Sequence, residues 1–416
     1  MDIPEEREYG LDIAEARIEQ VWNEQGIRCQ LDILGKGPHV VFAQLFEGQR
    51  LISCGAGKGD LRQAIVGAKY EAFEHYLTDL HGRDNASIIR VSTLLEAYDP
   101  AVATTYPLQL LADQPDASVG VRSFDTFTGN NIFHYPLGLS LPGYDESPVA
   151  GDTLNYGALR RYATNSGTAI GGTAEEATLH ALNECIERDA FSIFLLTHFY
   201  YREDAPLRVV DINSLSDDLR KSYDSVVSMI EALVVIIDIS TSLSVTTCLA
   251  FARTEYGHAH LLGVGASLNP THAARRALTE LLQLHLAATH GGPCGNTARA
   301  DIAAATRHLA RFPALLRCQM LSMEPLLRHA RTTRVTLRDE TLGSVASQVS
   351  SIASDLKANG LQAGRCVLST SSNGIALVNV VVPEFERFFI VGSGHVVVPG
   401  ARGRRLAKAV ERSHAS

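Results

Sequence analysis

Two segments of the chain that also carry regularly spaced alanines each hold a pair of glutamates three residues apart. Glu71 and Glu74 form one pair, and Glu184 and Glu187 form the other. Carboxylates that are brought together without compensation raise one another's pKa and are costly to bury. A divalent cation such as Mg²⁺ removes that cost, and it tends to share its coordination shell with phosphates. The two pairs therefore predict a magnesium site that also holds a nucleotide.

Each glutamate pair ends the same short pattern, which reads G-x4-A-x3-A-x2-E-x2-E. The pattern occupies residues 59–74 and again residues 172–187, with every marked position matched. A weaker copy at 273–283 keeps A-x3-A-x2-E and ends in Gln283. We interpret the three segments as internal repeats of one helix. The expected helices lie at about 60–80, 173–199 and 270–290.

The residues that open each copy are typical of helix starts. Asp60 can cap the first helix, and Thr173 and Glu176 have the capping-box spacing. Asn269 is a cap that precedes Pro270 at the first helical position. Because each helical residue turns about 100°, the two alanines and the first glutamate of a copy share one stripe, which another element can approach closely. The alternative is that the repeat serves packing and surface charge alone.

Segments rich in β-forming residues flank the predicted helices. They fall at 39–46, 50–57, 232–240, 245–253, 260–267 and 375–383. Several alternate apolar and small polar residues, as half-buried strands do. Strand pairs followed by a long helix predict an α+β fold, with mixed, largely antiparallel sheets and long helices packed on them. No low-complexity linker interrupts the sequence, so residues 1–416 are expected to form a single domain.

The composition argues against several classes of protein. Of 416 residues 45% are hydrophobic, and the net charge of −9 does not suit a large nucleic-acid surface. The longest apolar run, at 232–237, is far shorter than the roughly 18 residues that cross a bilayer. The N-terminus lacks the basic and apolar regions of a secretory signal. The cysteines show no C-x-x-C spacing, so reduced thiols and a cytoplasmic location are expected.

Three ordered segments resemble signatures of the YcaO family. The clearest is NSGTAIGGTAEEATLHALNECIERDA at 165–190, and the others lie at 57–76 and 265–283. The resemblance implies a YcaO-like fold and ATP-dependent chemistry on peptide backbones. Such enzymes bind ATP with Mg²⁺ between acidic helices, phosphorylate an amide oxygen, and leave a thioamide, an azoline or an amidine. The chain would then modify a ribosomally synthesised peptide, as a cyclodehydratase or a thioamide synthase.

The resemblance also implies roles for individual side chains. Arg188 and Arg276 would face the phosphates as catalytic cations, although each also has an acidic residue one helical turn away, Glu184 and Glu280, with which it could simply pair. The expected metal ligands are Glu71, Glu74, Glu184 and Glu187. The other expected cofactor-binding residues are Arg7, Lys58, Ser166, Thr168 and Glu176.

The chain departs from the family pattern in two places. Gly172 stands where relatives often have Asn, and Ala169 where Ser is common, although Ser166 and Thr168 could substitute. The segment after Pro399 has no P-x-P-x-P tail, which azoline-forming members commonly carry. This second departure favours thioamide or amidine formation over cyclodehydration.

Three kinds of function remain open at this point. The leading hypothesis is an enzyme that acts on a precursor peptide, with a TfuA-like or leader-binding partner protein and a possible homodimer. The partner is expected because no region resembles a separate leader-binding domain. The first alternative is a non-catalytic YcaO-like scaffold that binds peptide or a partner protein. The second is a metal hydrolase that needs no nucleotide.

Overall fold

The computed structural model describes residues 3–127, 129, 131–253, 261–290 and 307–409. Within these ranges the strands are β1 (Ile27–Leu34), β2 (His39–Glu47), β3 (Arg50–Gly59), β4 (Ser87–Arg90), β5 (Ser118–Thr126), β6 (Ile132–Pro136), β7 (Thr168–Gly171), β8 (Leu207–Val210), β9 (Val234–Asp238), β10 (Thr246–Ala252), β11 (Leu262–Ser267), β12 (Thr332–Val335), β13 (Gly364–Thr370) and β14 (Ala376–Val381). The α-helices are α1 (Leu11–Gln25), α2 (Leu61–His81), α3 (Val91–Glu96), α4 (Pro100–Ala103), α5 (Leu137–Ser140), α6 (Ala174–Leu195), α7 (Asp217–Ile230), α8 (Pro270–His290), α9 (Pro313–Met320), α10 (Met323–His329), α11 (Val345–Ala358) and α12 (Ala401–Ala409).

The described strands form three sheets. The first has the order β1-β2-β3, the second β11-β10-β9-β8-β12, and the third β4-β5-β13-β14-β7 with β6 beside β5. Every pairing is antiparallel except that of β8 with β12. The predicted α+β fold with largely antiparallel sheets and long packed helices is therefore confirmed. The interpretation of the pattern as internal repeats stays a prediction.

The three long acidic helices occupy equivalent places in these sheets. Each follows directly on an edge strand and packs against it: α2 on β3, α6 on β7, and α8 on β11. Each helix also contacts the edge strand that precedes another of the three, so that α2 reaches β7, α6 reaches β11, and α8 reaches β3. This cyclic set of contacts turns the three helices toward one shared interior space.

Glycines on the strands explain why the alanine spacing recurs. A Cβ atom added at Gly57 would lie 1.9 Å from the carbonyl oxygen of Ala64 on α2. One added at Gly263 would lie 2.1 Å from the carbonyl oxygen of Ala277 on α8, and one added at Gly171 would lie 2.4 Å from a backbone nitrogen on α6. Helix and strand are therefore in backbone contact, which confirms that the small residues permit a close approach.

Replacing Gly57 with Ala is expected to lower the free energy of unfolding by about 1–3 kcal/mol, the usual cost of overpacking a tight contact. The added methyl group meets helix backbone, which cannot rotate away as a side chain could. Denaturant unfolding measures the change. Gly392→Ala is the matched control, because nothing lies within 4 Å of its added Cβ. Equal stability of the two variants would contradict the packing argument.

Two of the three predicted helix caps are confirmed. The Thr173 hydroxyl accepts a hydrogen bond from the backbone N–H of Glu176 at 3.1 Å, and the Asn269 side chain accepts one from that of Thr271 at 3.1 Å. The prediction that Asp60 caps α2 through its side chain is wrong. Its side chain is exposed and makes no hydrogen bond to the first turn, so water solvates the carboxylate instead.

Two expectations about the chain's environment can be compared with the described residues. No helix among them is long and apolar enough to cross a membrane. Free thiols are found at Cys29, Cys185, Cys248, Cys318 and Cys366. Cys54 is disulfide-bonded, so the expectation of reduced thiols is wrong at that position.

Candidate functional site

Six glutamates from the three long helices face one cavity of about 460 Å³. Glu71 and Glu74 come from α2, Glu176, Glu184 and Glu187 from α6, and Glu280 from α8. Glu71, Glu184 and Glu280 hold the same place in the repeated pattern. Because the alanine stripe of each helix packs on its strand, the carboxylate one turn further along is carried to the shared space.

All but one of the side chains predicted for the site line this cavity. They are Arg7, Lys58, Glu71, Glu74, Thr168, Glu176, Glu184, Glu187, Arg188 and Arg276. Ser166 is not among the lining residues, and its hydroxyl pairs with that of Thr164 at 2.8 Å. The structure thus places the predicted metal ligands and phosphate-facing cations around one space, while their individual roles remain predictions.

The carboxylates of α2 and α6 carry poorly compensated charge. Burial raises the pKa of Glu74 well above its ordinary value, and the nearby Glu184 and Glu71 raise it further. Burial also raises the pKa of Glu187 to about 7, against the opposing effect of Arg188. Like charges and a low local dielectric both disfavour the ionised forms. A bound cation would stabilise the ionised forms of these carboxylates.

Cationic side chains line the same cavity beside the carboxylates. Lys58 donates to Glu280 at 3.0 Å, and with Arg188 it brings the pKa of Glu280 below its ordinary value although burial alone would raise it. The Arg188 guanidinium lies 3.6 Å from Glu187 and 3.9 Å from Glu184. Arg188 therefore forms the ion pair with Glu184 that was the alternative to a phosphate-binding role, and it still lines the cavity.

Arg276 does not form the pair with Glu280 that the sequence left open. Within the described ranges, its ion pair is instead with Glu6, at 3.7 Å between Nη1 and Oε2. Its Nε is buried without a hydrogen-bond partner in the same ranges. The guanidinium therefore retains hydrogen-bonding capacity on the cavity wall, as a phosphate-binding side chain would need.

The donor set suits Mg²⁺ with a phosphate ligand better than a closed, all-protein metal site. No group of three or more His, Cys, Asp or Glu side chains in the described part of the chain is already gathered around one metal position. Glu74 and Glu184 accept hydrogen bonds from the backbone nitrogens of Ile170 and Gly167, at 3.0 and 3.1 Å. Mg²⁺ is bound by carboxylate oxygens together with waters and phosphate oxygens, so the oxygen-rich wall fits it.

Several residues that form the site were not predicted from the sequence. Glu280 was missed as an acidic lining residue, although its place in the weaker third copy was a usable signal. His180 also lines the cavity, and its Nδ1 is buried without a partner among the described residues. Burial lowers the pKa of His180 well below its ordinary value, and Arg276 and Arg7 lower it further, so the ring is neutral. The N-terminal residues Glu5 and Tyr9 had no sequence signal.

The first departure from the family pattern, at Gly172 and Ala169, can be followed in the structure. A Cβ at Gly172 would lie 2.9 Å from the Tyr9 ring, so an aromatic side chain occupies the space beside this glycine. Arg17 lies over the Tyr9 ring at 4.2 Å and donates to the Gly172 carbonyl oxygen at 3.0 Å. Ala169 is fully buried in β7 opposite Val378. The charged side chains predicted for the site line the cavity although Gly172 and Ala169 stand in place of Asn and Ser.

Solved structures with a similar fold include three with informative ligands or partners. YcaO from Methanopyrus kandleri bound with AMPPCP and Mg²⁺ is 20% identical, with a TM-score of 0.64 over 94% of this chain and 96% of that one. A heterocyclase in complex with substrate and cofactor is 18% identical, with a TM-score of 0.68, and the match covers 94% of this chain and 55% of that one. The E. coli microcin synthetase McbBCD complex with pro-MccB17 bound is 14% identical, with a TM-score of 0.58 over 87% and 88%.

The family assignment rests on the sequence as well as the fold. A family model described as YcaO cyclodehydratase, ATP- and Mg²⁺-binding, matches residues 56–386. The predicted cofactors, ATP and Mg²⁺, are confirmed as those of this family, and ATP-dependent peptide modification is supported as the class of activity. Because the match spans most of its length, the chain belongs to the YcaO family.

Proposed function

We propose that this protein uses ATP and Mg²⁺ to activate backbone amides of a ribosomally synthesised peptide, giving a thioamide, an azoline or an amidine. The observation that carries the proposal is the single cavity in which glutamates from α2, α6 and α8 stand beside arginine and lysine side chains. Anionic and cationic groups that line one cavity suit a metal–triphosphate complex, which presents both signs of charge.

Each group of side chains then has a distinct task. The ligands for Mg²⁺ are Glu71, Glu74, Glu184 and Glu187, and Glu176 lies beside the nucleotide. Lys58, Arg188 and Arg276 bind and orient phosphate oxygens, because phosphoryl transfer depends on positioning and charge neutralisation. Bound ATP would supply the phosphoryl group that turns the amide oxygen into a leaving group. Neutral His180 can accept or donate a hydrogen bond at the cavity wall without adding charge.

A partner protein and a precursor peptide complete the proposal. The McbBCD complex with pro-MccB17 bound is an assembly of similar fold that includes bound partner chains and a peptide. By analogy, a precursor peptide would bind near the cavity, and a TfuA-like or leader-binding protein would deliver it or supply sulfur. A homodimer and a cytoplasmic location belong to the same proposal. Co-purification of the protein with products of neighbouring genes would test the partner directly.

Incubation of the protein with ATP, Mg²⁺ and a precursor peptide encoded beside its gene is expected to change the mass of the peptide. Loss of one water indicates ring closure or amidine formation, whereas exchange of oxygen for sulfur indicates a thioamide. Intact-mass spectrometry measures either change, and reactions without ATP or with a chelator are the controls. Peptide cleavage that needs metal but no ATP would instead support the hydrolase alternative.

A further inference from the structure

Residues 3–10, which precede α1, form one wall of the cavity, and we call them the N-terminal strap. Pro4, Glu5, Arg7 and Tyr9 of this strap face the cavity. Glu6 is not a lining residue: its side chain is only 2% exposed, and its backbone has a left-handed φ of 62°. A non-glycine residue holds such a conformation only when its surroundings enforce it. The contacts of the strap with the rest of the fold therefore hold Glu6 in this conformation.

The Glu6 carboxylate joins three elements of the fold. Its Oε1 accepts hydrogen bonds from the Ser267 hydroxyl at 2.6 Å, at the end of β11, and from the Asn183 side chain at 3.1 Å, on α6. Its Oε2 lies 3.7 Å from His272 Nε2 and 3.7 Å from Arg276 Nη1, both on α8. One buried anion thus links the helix that carries two predicted metal ligands to the helix that carries Arg276.

The residues after Glu6 fasten the strap to the start of α6. The backbone N–H of Glu8 donates to Glu176 Oε2 at 3.1 Å, and Arg7 Nε lies 3.7 Å from Glu176 Oε1. The Thr173 hydroxyl donates to the Glu8 carboxylate. The strap therefore runs from α8 to the first turn of α6, with Arg7 held between these two attachments.

We propose that Glu6 is a positioning residue of the nucleotide site, which acts through Arg276 and through the backbone that carries Arg7. Glu6 and Arg276 lie 3.7 Å apart, and loss of either side chain leaves the other without its partner of opposite charge, so each holds the other in place. With Glu6 fixed, Arg276 and Arg7 both line the cavity. The inference rests on the proposed function, because it assigns the two arginines to the phosphates.

Glu6→Gln separates charge from shape, because the amide oxygen can still accept from Ser267 and Asn183. We expect the variant to bind Mg²⁺ with a non-hydrolysable ATP analogue about tenfold more weakly, a loss of about 1.4 kcal/mol. The KM for ATP should rise while the KM for peptide stays unchanged. Calorimetry on the full-length protein measures the affinity. In an Arg276→Met background, which lacks the cation that pairs with Glu6, the same change should cost little, because the two residues act together. Fully additive losses would overturn the proposal.

A second measurement needs no nucleotide. Glu6→Ala is expected to speed hydrogen exchange at the Glu8 amide, which donates to Glu176, while the exposed Glu96→Gln leaves it unchanged. Unchanged exchange in Glu6→Ala overturns the proposal. If Glu6→Gln melts at a lower temperature but binds the nucleotide as tightly as the parent protein, the proposal is also overturned, because Glu6 would then contribute to stability alone. If the parent protein binds no nucleotide, the proposed function fails, and the exchange rate still decides whether Glu6 holds the strap.

Discussion

Glu187→Gln is expected to abolish the thermal stabilisation that Mg²⁺ and a non-hydrolysable ATP analogue give the parent protein. It should also lower kcat by about 1000-fold, which corresponds to about 4 kcal/mol in the activation free energy. Glu187 is 3% exposed, and burial raises its pKa to about 7. Glutamine keeps the shape of the side chain but cannot compensate a cation. Because it also removes an anion that is costly to bury, the melting temperature of the free protein should stay level or rise. Thermal melts with and without ligand, together with ATP turnover, measure both effects.

Glu175→Gln is the matched control for Glu187→Gln. Glu175 lies on the same helix, but it pairs with Arg365 at 2.7 Å and does not line the cavity. The parent protein should gain about 2.7 kcal/mol when the analogue is present at about 100 times its Kd, and the control should gain as much. A full ligand-induced rise in Glu187→Gln would remove Glu187 from the metal site. Absence of any rise in the parent protein would favour the scaffold alternative.

The parts of the site that could be predicted are those encoded by local spacing. Glu71, Glu74, Glu184 and Glu187 follow the packing alanines by a fixed angle on a helix, so their direction is known once the alanine stripe is known to face a sheet. Glu280 has the same spacing in the third copy and could have been included. The third copy ends in glutamine instead of glutamate, which made the segment look less like a ligand-bearing helix.

The contacts that complete the site have no local signal. Glu6 meets Asn183, Ser267 and Arg276, all far away in sequence, and no periodic pattern marks a single buried carboxylate near the N-terminus. The ring of Tyr9 beside Gly172 is a further example, because a glycine in the sequence shows only that a side chain is missing. Such pairs depend on how the sheets and helices pack together, and only the folded chain displays them.

Removing the carboxylate of Asp189 is expected to destabilise the protein by about 3–5 kcal/mol, the usual cost of breaking a buried ion pair. Asp189 on α6 is fully buried and accepts from Arg402 Nε at 3.0 Å and from Arg402 Nη2 at 2.8 Å. It also accepts from the backbone N–H of Glu386 at 2.9 Å. Asp189→Asn leaves the Arg402 charge buried without its anion, and α12, which carries Arg402, loses its anchor on α6. Denaturant unfolding measures the loss.

Two further variants test whether the loss of stability in Asp189→Asn comes from burying the charge of Arg402. Asp224→Asn on α7 breaks a surface ion pair in which the Asp224 side chain is 58% exposed and the Arg220 side chain 43% exposed. This substitution should lower the free energy of unfolding by less than about 1 kcal/mol. The double variant Asp189→Leu with Arg402→Met should be more stable than Asp189→Asn, because it leaves no uncompensated charge behind. If Asp189→Asn is no more harmful than Asp224→Asn, the ion pair does not anchor α12. If the double variant is the least stable, the cost comes from lost packing, not from the buried guanidinium.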